Sequence, residues 1–214
     1  MTSARSQTGR FITFEGGEGA GKSTQIRLLG NALEKSGHTV LQTREPGGSP
    51  GAEEIRSLLV TGDGDRWTGM TEVLLHFAAR ADHLERVVRP ALKAGTWVLC
   101  DRFVDSSMAY QGIAQALGKD VIGELADLVV GTTMPDLTLI LDLPVADGLA
   151  RAGARGEGED RYEKMGHAFH ETLRQAFLDI ATDAPERCKV IDATQQIDGV
   201  HRAVWDATAA RFGL

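Results

Sequence analysis

At 214 residues, 42% hydrophobic and 25% charged, the chain has the composition of one globular domain with a full core. A net charge of −7 is the wrong sign for general affinity to a nucleic-acid backbone, no apolar run approaches the ~20 residues of a membrane span, and two cysteines cannot build a disulfide scaffold. The polar start, Met1–Arg10, has no signal-peptide core behind its basic residues, so the expected setting is a reducing cytoplasm.

Phe11–Phe14 is a short β-prone run that enters a glycine cluster at Gly16. From Lys22 the pattern turns helical, with Ile26, Leu28, Leu29 and Leu33 at three- and four-residue spacing, and it stops near Gly37. Thr39–Thr43 predicts a second strand, which ends in Arg44-Glu45-Pro46-Gly47-Gly48. A helix follows over Glu53–Val60, then a glycine-rich break through Gly69. Thr71–Lys93 is the longest helical stretch, with Val73, Leu74, Phe77, Leu84 and Val88 on or near one face and Pro90 bending it near its end.

Trp97–Cys100 predicts a third strand, delivering Asp101-Arg102-Phe103. Two helical segments lead to Leu137–Leu143, a strand apolar enough to be buried on both faces. The polar, glycine-rich stretch 151–161 breaks the pattern. A helix over Glu163–Thr182, a strand Lys189–Ile191 and a helix Ile197–Arg211 complete the chain. Strands alternating with helices predict a three-layer α/β/α domain with a five-stranded parallel sheet, of the P-loop NTP hydrolase type. It spans residues 1–214, with a lid near 151–161.

Gly16-Gly17-Glu18-Gly19-Ala20-Gly21-Lys22-Ser23 matches G-x-x-x-x-G-K-[ST] and lies between a predicted strand and a predicted helix, the context that gives the motif meaning. Small residues are needed there because backbone N–H groups must converge on phosphates. Gly16, Gly17, Glu18, Gly19, Ala20, Gly21, Lys22, Ser23 and Thr24 are the expected phosphate-binding set. Lys22 faces the β- and γ-phosphates, Ser23 holds Mg2+, and the helix N-terminus adds its dipole. The motif predicts a nucleoside-triphosphate-binding protein.

A P-loop alone does not separate a switch from a kinase. The Asn-Lys-x-Asp guanine reader of GTPases is missing, since the one asparagine, Asn31, precedes Ala32. A kinase needs a second anion site opposite the P-loop, and the strand ends supply candidates. Asp101 is placed to act on Mg2+-bound water or the acceptor, and Arg102 to bridge donor and acceptor phosphates. Arg44, just past the second strand, can fork onto an acceptor phosphate. Phe77 and Arg80 share a helix face, as either a base platform with a guanidinium at its edge or a core ring beside a solvated arginine. Arg151, Arg155 and Arg161, among Gly153, Gly156 and Gly158, suit a lid that closes over transferring phosphates. A nucleotide-dependent switch remains the rival class.

Taken together these residues resemble the thymidylate kinase family of nucleoside-monophosphate kinases. The resemblance runs from Phe11 to the last helix. It rests on Phe14–Ser23, Thr43–Gly48, Phe77–Arg80, Cys100–Phe103, Ser106–Gly112 and Pro135–Thr138, in that order along the chain. It implies transfer of the γ-phosphoryl group of MgATP to dTMP, giving ADP and dTDP. On this resemblance Phe77 stacks on thymine, Arg80 meets the base edge, and Ser107 and Gln111 complete the polar base contacts. Tyr110 lies against the deoxyribose, and Arg44 and Arg102, with Ser106, belong to the acceptor set.

Glu18 in the P-loop, with arginines in the lid, resembles the bacterial subclass in which the lid supplies the catalytic arginine. Arg155 is then the first candidate for the transition-state cation, with Arg151 and Arg161 close behind on the ATP phosphates. Two features depart from the family. Phe103 replaces the frequent tyrosine or histidine, and it also speaks against a deoxynucleoside kinase, where serine usually follows the acidic-arginine pair. Ser107 is short for a base reader. The resemblance further implies a homodimer built on the 71–93 helix.

Among the remaining features, His167 and His170 are expected on a solvated helix face rather than on a metal, and Cys100 is expected as a buried small hydrophobe. The acidic run Glu157–Asp160 reads as solvated loop, and Trp67, Trp97 and Trp205 as packing residues.

Overall fold

Five short strands all end on a polar residue, and together they present a chemical edge. In the computed structural model, which describes residues 9–62, 66–153, 161–162 and 165–214, they are β1 (Phe11–Glu15), β2 (Val40–Arg44), β3 (Trp97–Asp101), β4 (Leu137–Asp142) and β5 (Cys188–Asp192). Among the described residues they form one sheet in the order β2-β3-β1-β4-β5, with every pairing parallel. This is the expected five-stranded α/β architecture. Glu15, Arg44, Asp101, Asp142 and Asp192 therefore sit side by side at the C-terminal edge, where doubly wound sheets bind ligands.

The two-residue period of the strands sorts the core into layers. Ile12, Phe14, Leu99, Leu137, Leu139 and Leu141 pack against Ile26, Leu29 and Leu33 of α1 (Lys22–Lys35) and Val200 and Val204 of α9 (Ile197–Phe212). On the other face Phe11, Val98 and Cys100 meet Val73 and Phe77 of α3 (Gly69–His83) and Ile122 of α6 (Lys119–Val129). Leu173, Ala176, Phe177 and Ile180 of α8 (His167–Asp183) close over Ile140. The central strands are buried on both faces, as parallel sheets require, and Cys100 is a buried free thiol as expected.

The long 71–93 helix is interrupted earlier than Pro90 suggested. α3 passes into a π-helical turn over Leu84–Val88 before α4 (Arg89–Lys93), and the Arg89 N–H bonds Leu84 O, five residues back. Pro90 has no N–H for the carbonyl four residues earlier, and the widened turn absorbs that misfit. A second π-helical stretch, Met108–Ala114, follows α5 (Val104–Ser107) and carries Tyr110 and Gln111. α2 (Pro50–Val60) begins three residues before its predicted start, with Pro50 in its first turn. α7 (Val145–Gly153) leads into residues 154–160, which with 163–164 lie outside the described residues. Arg155 and Glu157–Asp160 are among them. No helix among the described residues is long and apolar enough to cross a membrane.

Candidate active site

The P-loop curls over the end of β1. Gly16 (φ +129) and Gly19 (φ +67) take left-handed backbone, and a Cβ would lie 2.4 Å from Leu141 O at Gly16 and 2.0 Å from Gly148 O at Gly19. Only glycine fits either place. Lys22 opens α1, and its Nζ donates to the carbonyls of Gly16 (3.2 Å) and Gly17 (2.9 Å). Its burial, followed by the neighbouring Arg102 charge, pushes the ammonium below its ordinary pKa. Ser23 Oγ donates to Asp101 Oδ2 at 2.9 Å, so the loop's hydroxyl and the β3 carboxylate meet.

One residue further, Arg102 adopts φ +66, a left-handed conformation that is uncommon for a side-chain-bearing residue and turns the guanidinium towards the P-loop. Nη1 donates to Gly16 O (3.1 Å) and Ser106 Oγ (3.2 Å), Nη2 to Glu18 Oε1 (2.8 Å), and the group lies 5.1 Å from the Tyr110 ring centre. Burial opposes its charge, but Glu18 leads the acidic neighbours that raise its pKa further. Tyr110 Oη also donates to Glu18 Oε1, at 2.6 Å.

Burial likewise opposes the Glu18 charge. Arg102, then Lys22 and the Tyr110 hydroxyl, outweigh it and bring the carboxyl down to about 2. A folded-state pKa below the ordinary 4.5 adds stability above pH 4.5 that is lost as pH falls towards 2. In urea unfolding, the wild-type advantage over Glu18→Gln is therefore expected to shrink by about 2 kcal/mol between about pH 6 and about pH 3. A pH-independent gap would contradict the pairing.

These groups line a cavity at the C-terminal edge of the sheet. Glu18–Ser23 contribute from the P-loop. Arg44, Glu45, Pro46, Arg56, Asp101 and Arg102 come from the strand ends and α2, His76, Arg80, Ser107, Tyr110 and Gln111 from the helices, and Tyr162 from the turn before α8. Arg80 is 2% exposed. Its Nε donates to Glu45 Oε2 (2.7 Å) and Nη2 to Ser107 Oγ (3.1 Å), while buried Nη1 has no hydrogen-bond partner among the described residues. Glu45 is itself braced by His83 Nδ1 at 2.9 Å, and His83 Nε2 meets Thr43 Oγ1 at 2.8 Å. Burial opposes ionisation of Glu45, yet Arg80 and then His83 hold its carboxyl below the ordinary value. One guanidinium nitrogen is thus buried in the low-dielectric wall with no hydrogen-bond partner among the described residues.

The expectation for Phe77 is corrected here. The ring is 2% exposed, packs with Val73, Leu84, Val98 and Phe103, and has the Arg80 guanidinium over its face at 4.6 Å. On α3 the ring that lines the cavity is His76, one residue earlier and four before Arg80, so both flank the core stripe of the helix. His76 Nε2 lies 3.1 Å from Tyr162 Oη, whose proton goes to Glu72 Oε1 at 3.0 Å, so Nε2 is the donor and Nδ1 is left unprotonated. Burial pushes the His76 pKa down to about 4, keeping the imidazole neutral at pH 7.

Arg161 is also placed differently from a phosphate-facing lid arginine. It is 2% exposed, pairs through Nη2 with Glu72 Oε2, and donates from Nη1 to Leu59 O at 3.0 Å. Glu72 Oε1 additionally accepts from Gln111 and Gln115, both at 2.8 Å. Breaking a buried pair of this kind is costly, which makes Arg161 a clamp between α2 and α3.

Arg151 is exposed, reaches Ala193 O at 3.5 Å and is not among the cavity-lining residues. Arg44 lines the cavity and is paired with Glu53 at 3.0 Å. Thr24 is half-buried in the first turn of α1. His170, expected on a solvated face, is 4% exposed behind the P-loop, whereas His167 is exposed as expected. Among the described residues no cluster of three metal-binding side chains occurs. Arg56, His76, Glu72 and Tyr162 are site residues that sequence reasoning passed over.

With that geometry in view, comparison with known proteins is direct. Residues 14–204 match the family model described as thymidylate kinase. The chain is 57% identical to a thymidylate kinase of Caulobacter vibrioides over 206 residues, covering 96% of this chain and 99% of that one. It is 53% identical to a thymidylate kinase of Bradyrhizobium sp. ORS 278, covering 95% and 91%. The crystal structure of a thymidylate kinase from Ehrlichia chaffeensis superposes with a TM-score of 0.77 at 34% identity, covering 94% of this chain and 98% of that one. The P-loop motif and the full-length likeness agree: the chain belongs to the thymidylate kinase family.

Proposed function

We propose that the protein, as a single kinase domain, transfers the γ-phosphoryl group of MgATP to dTMP, yielding ADP and dTDP. The observation that carries this reading is the meeting of donor-loop Lys22 and acceptor-side Arg102 around Glu18, in a cavity whose far wall includes Arg80, whose buried Nη1 has no hydrogen-bond partner among the described residues. The P-loop backbone and Lys22 hold the donor phosphates. Arg102 and Arg44 receive the acceptor phosphate, and Arg102 spans to the donor side through Gly16. Because phosphoryl transfer asks for little covalent help, alignment and charge neutralisation are the protein's contribution.

At the base end, Arg80 Nη1 donates to a thymine carbonyl, Gln111 completes the polar edge, and the His76 ring gives the stacking face. Ser107 acts by holding Arg80 rather than by reading the base, which resolves its shortness. Tyr110 walls the sugar. The Ser23 hydroxyl and Asp101 carboxylate, already 2.9 Å apart, suit Mg2+, which prefers oxygen donors. When bound, that ion neutralises charge on the β- and γ-phosphates. Arg155 is assigned the transition-state cation on sequence resemblance. Met70 and Leu74 on α3 and Leu128 on α6 are exposed apolar side chains, consistent with a homodimer through α3 that sedimentation would reveal as twice the chain mass. The cytoplasm is the assigned compartment, in keeping with two free buried cysteines.

Incubation with MgATP and dTMP is expected to yield ADP and dTDP in equal amounts; ADP without dTDP would contradict the reading. His76→Ala is expected to raise the dTMP KM by about tenfold or more, as loss of one base-stacking contact does, with the MgATP KM little changed. Phe77→Ala is expected to cost about 3–5 kcal/mol of stability instead. The opposite pattern in titration and unfolding experiments would restore Phe77 as the stacking ring.

A further inference from the structure

We propose that Glu15 is a positioning residue for phosphoryl transfer, tying the acceptor arginine Arg102 to the donor loop through the hydrogen bonds it gathers from the segment after β3. Glu15 ends β1, immediately before the P-loop, and is fully buried. Its Oε1 accepts from the Phe103 N–H at 2.8 Å and the Ser106 N–H at 3.2 Å, and its Oε2 from Ser106 Oγ at 2.6 Å. The same Ser106 Oγ accepts from Arg102 Nη1 at 3.2 Å, so a short chain runs from the carboxylate to the guanidinium.

Arg102 needs such a brace. Its φ of +66 is a strained backbone state that persists only where surrounding contacts impose it. On its N-terminal side the Arg102 N–H bonds Phe14 O at 2.9 Å, and on its C-terminal side the next N–H belongs to Glu15. Both anchors of the strained residue therefore come from the last two residues of β1, the strand that launches the phosphate loop. Donor loop and acceptor cation share one rigid base, and their separation is fixed by Glu15.

An anion in this position works against the fold. Burial, and then the nearby Asp105 charge, push Glu15 up to about 7 against the help of Ser106, Arg102 and the Phe103 N–H. Asp105 is itself paired with Arg187 at 2.6 Å. A group that destabilises as an ion, yet among the described residues makes its side-chain hydrogen bonds to the segment that carries Arg102, is better explained by positioning than by stability.

The inference rests on Arg102 acting on the phosphates, and the test separates the two. Glu15→Ala is expected to lower kcat about a hundredfold with the MgATP KM within about threefold, since the loop register is lost while the P-loop remains. Glu15→Gln keeps an oxygen for both N–H groups, and its amide N–H donates to Ser106 Oγ, which reverses that one bond but leaves the chain to Arg102 connected; it is expected to stay within about fivefold of wild type. In an Arg102→Ala background, Glu15→Ala is expected to cost less than about threefold more, because the residue acts through Arg102. Should Glu15→Ala not fold, Ser106→Ala severs the same chain and is expected to cost about tenfold in kcat, an effect again absent beside Arg102→Ala. Near-normal kcat in folded Glu15→Ala or in Ser106→Ala, or losses that multiply in the double variant, would overturn the inference. Near-normal kcat in Arg102→Ala alone would overturn the role of Arg102, and this inference with it.

Discussion

Arg102→Ala is expected to lower kcat by about a thousandfold or more while leaving the chain folded, because the side chain supplies a fixed charge where charge must be neutralised. The guanidinium is positioned by Gly16 O, Ser106 Oγ and Glu18, and its charge is secured by the acidic neighbours around it. A lysine cannot reproduce this, since one ammonium cannot span the fork between Gly16 and Glu18. The fold is expected to survive because Arg102 packs at the mouth of the sheet, with the Ile12, Leu99 and Leu139 layer beneath it untouched. Steady-state rates beside circular dichroism check this. A folded variant that turns over normally would remove Arg102 from the reaction.

Lys22→Ala carries the second large effect. The ammonium is the P-loop's own cation, 8% exposed and folded against the Gly16 and Gly17 carbonyls, poised where the β- and γ-phosphates are expected. Its loss is expected to lower kcat by about a thousandfold and to raise the MgATP KM, with the dTMP KM changed little. That asymmetry separates Lys22 from His76, whose loss acts on dTMP. An Lys22→Ala variant with a raised dTMP KM and an unaltered MgATP KM would contradict the assignment of donor and acceptor ends.

The strand-helix alternation and the P-loop were readable because both are local: period-two apolar runs, three-to-four spacing and a contiguous glycine motif. Strand ends were read short for a physical reason. Glu15, Arg44, Asp101 and Asp192 close their strands with charged side chains, and the expected strands stop one residue before each; β4 is the exception, expected to Leu143 because that leucine follows Asp142. The functional edge of the sheet is where the apolar signal fails.

The errors at the base pocket have a different origin. Phe77 and His76 differ by about 100° around α3; the spacing leaves Phe77 open between base platform and core ring, only the family resemblance makes it the stacking ring, and Val73 and Leu84 place it on the core stripe. His76 carried no such signal, since a neutral histidine is produced here by burial, which sequence does not disclose. Arg161 was assigned by its glycine-rich neighbourhood. Its partner Glu72 is 89 residues away, and Glu72 looked like an ordinary first-turn acidic residue. Arg56 likewise sits in an unremarkable helix, and only the sheet's topology brings it to the cavity.

The measurement that bears most directly on the whole account is kcat/KM with MgATP across dTMP, dUMP, dCMP, UMP, AMP, GMP and thymidine, read as coupled ADP release. The account predicts clear preference for dTMP, no turnover of thymidine, which lacks the phosphate that Arg102 and Arg44 hold, and weak turnover of UMP, which carries the 2′-hydroxyl that Tyr110 excludes. Preference for another monophosphate would discard the pocket built from His76, Arg80 and Gln111, and silence across the panel with MgATP still bound would contradict the kinase assignment itself.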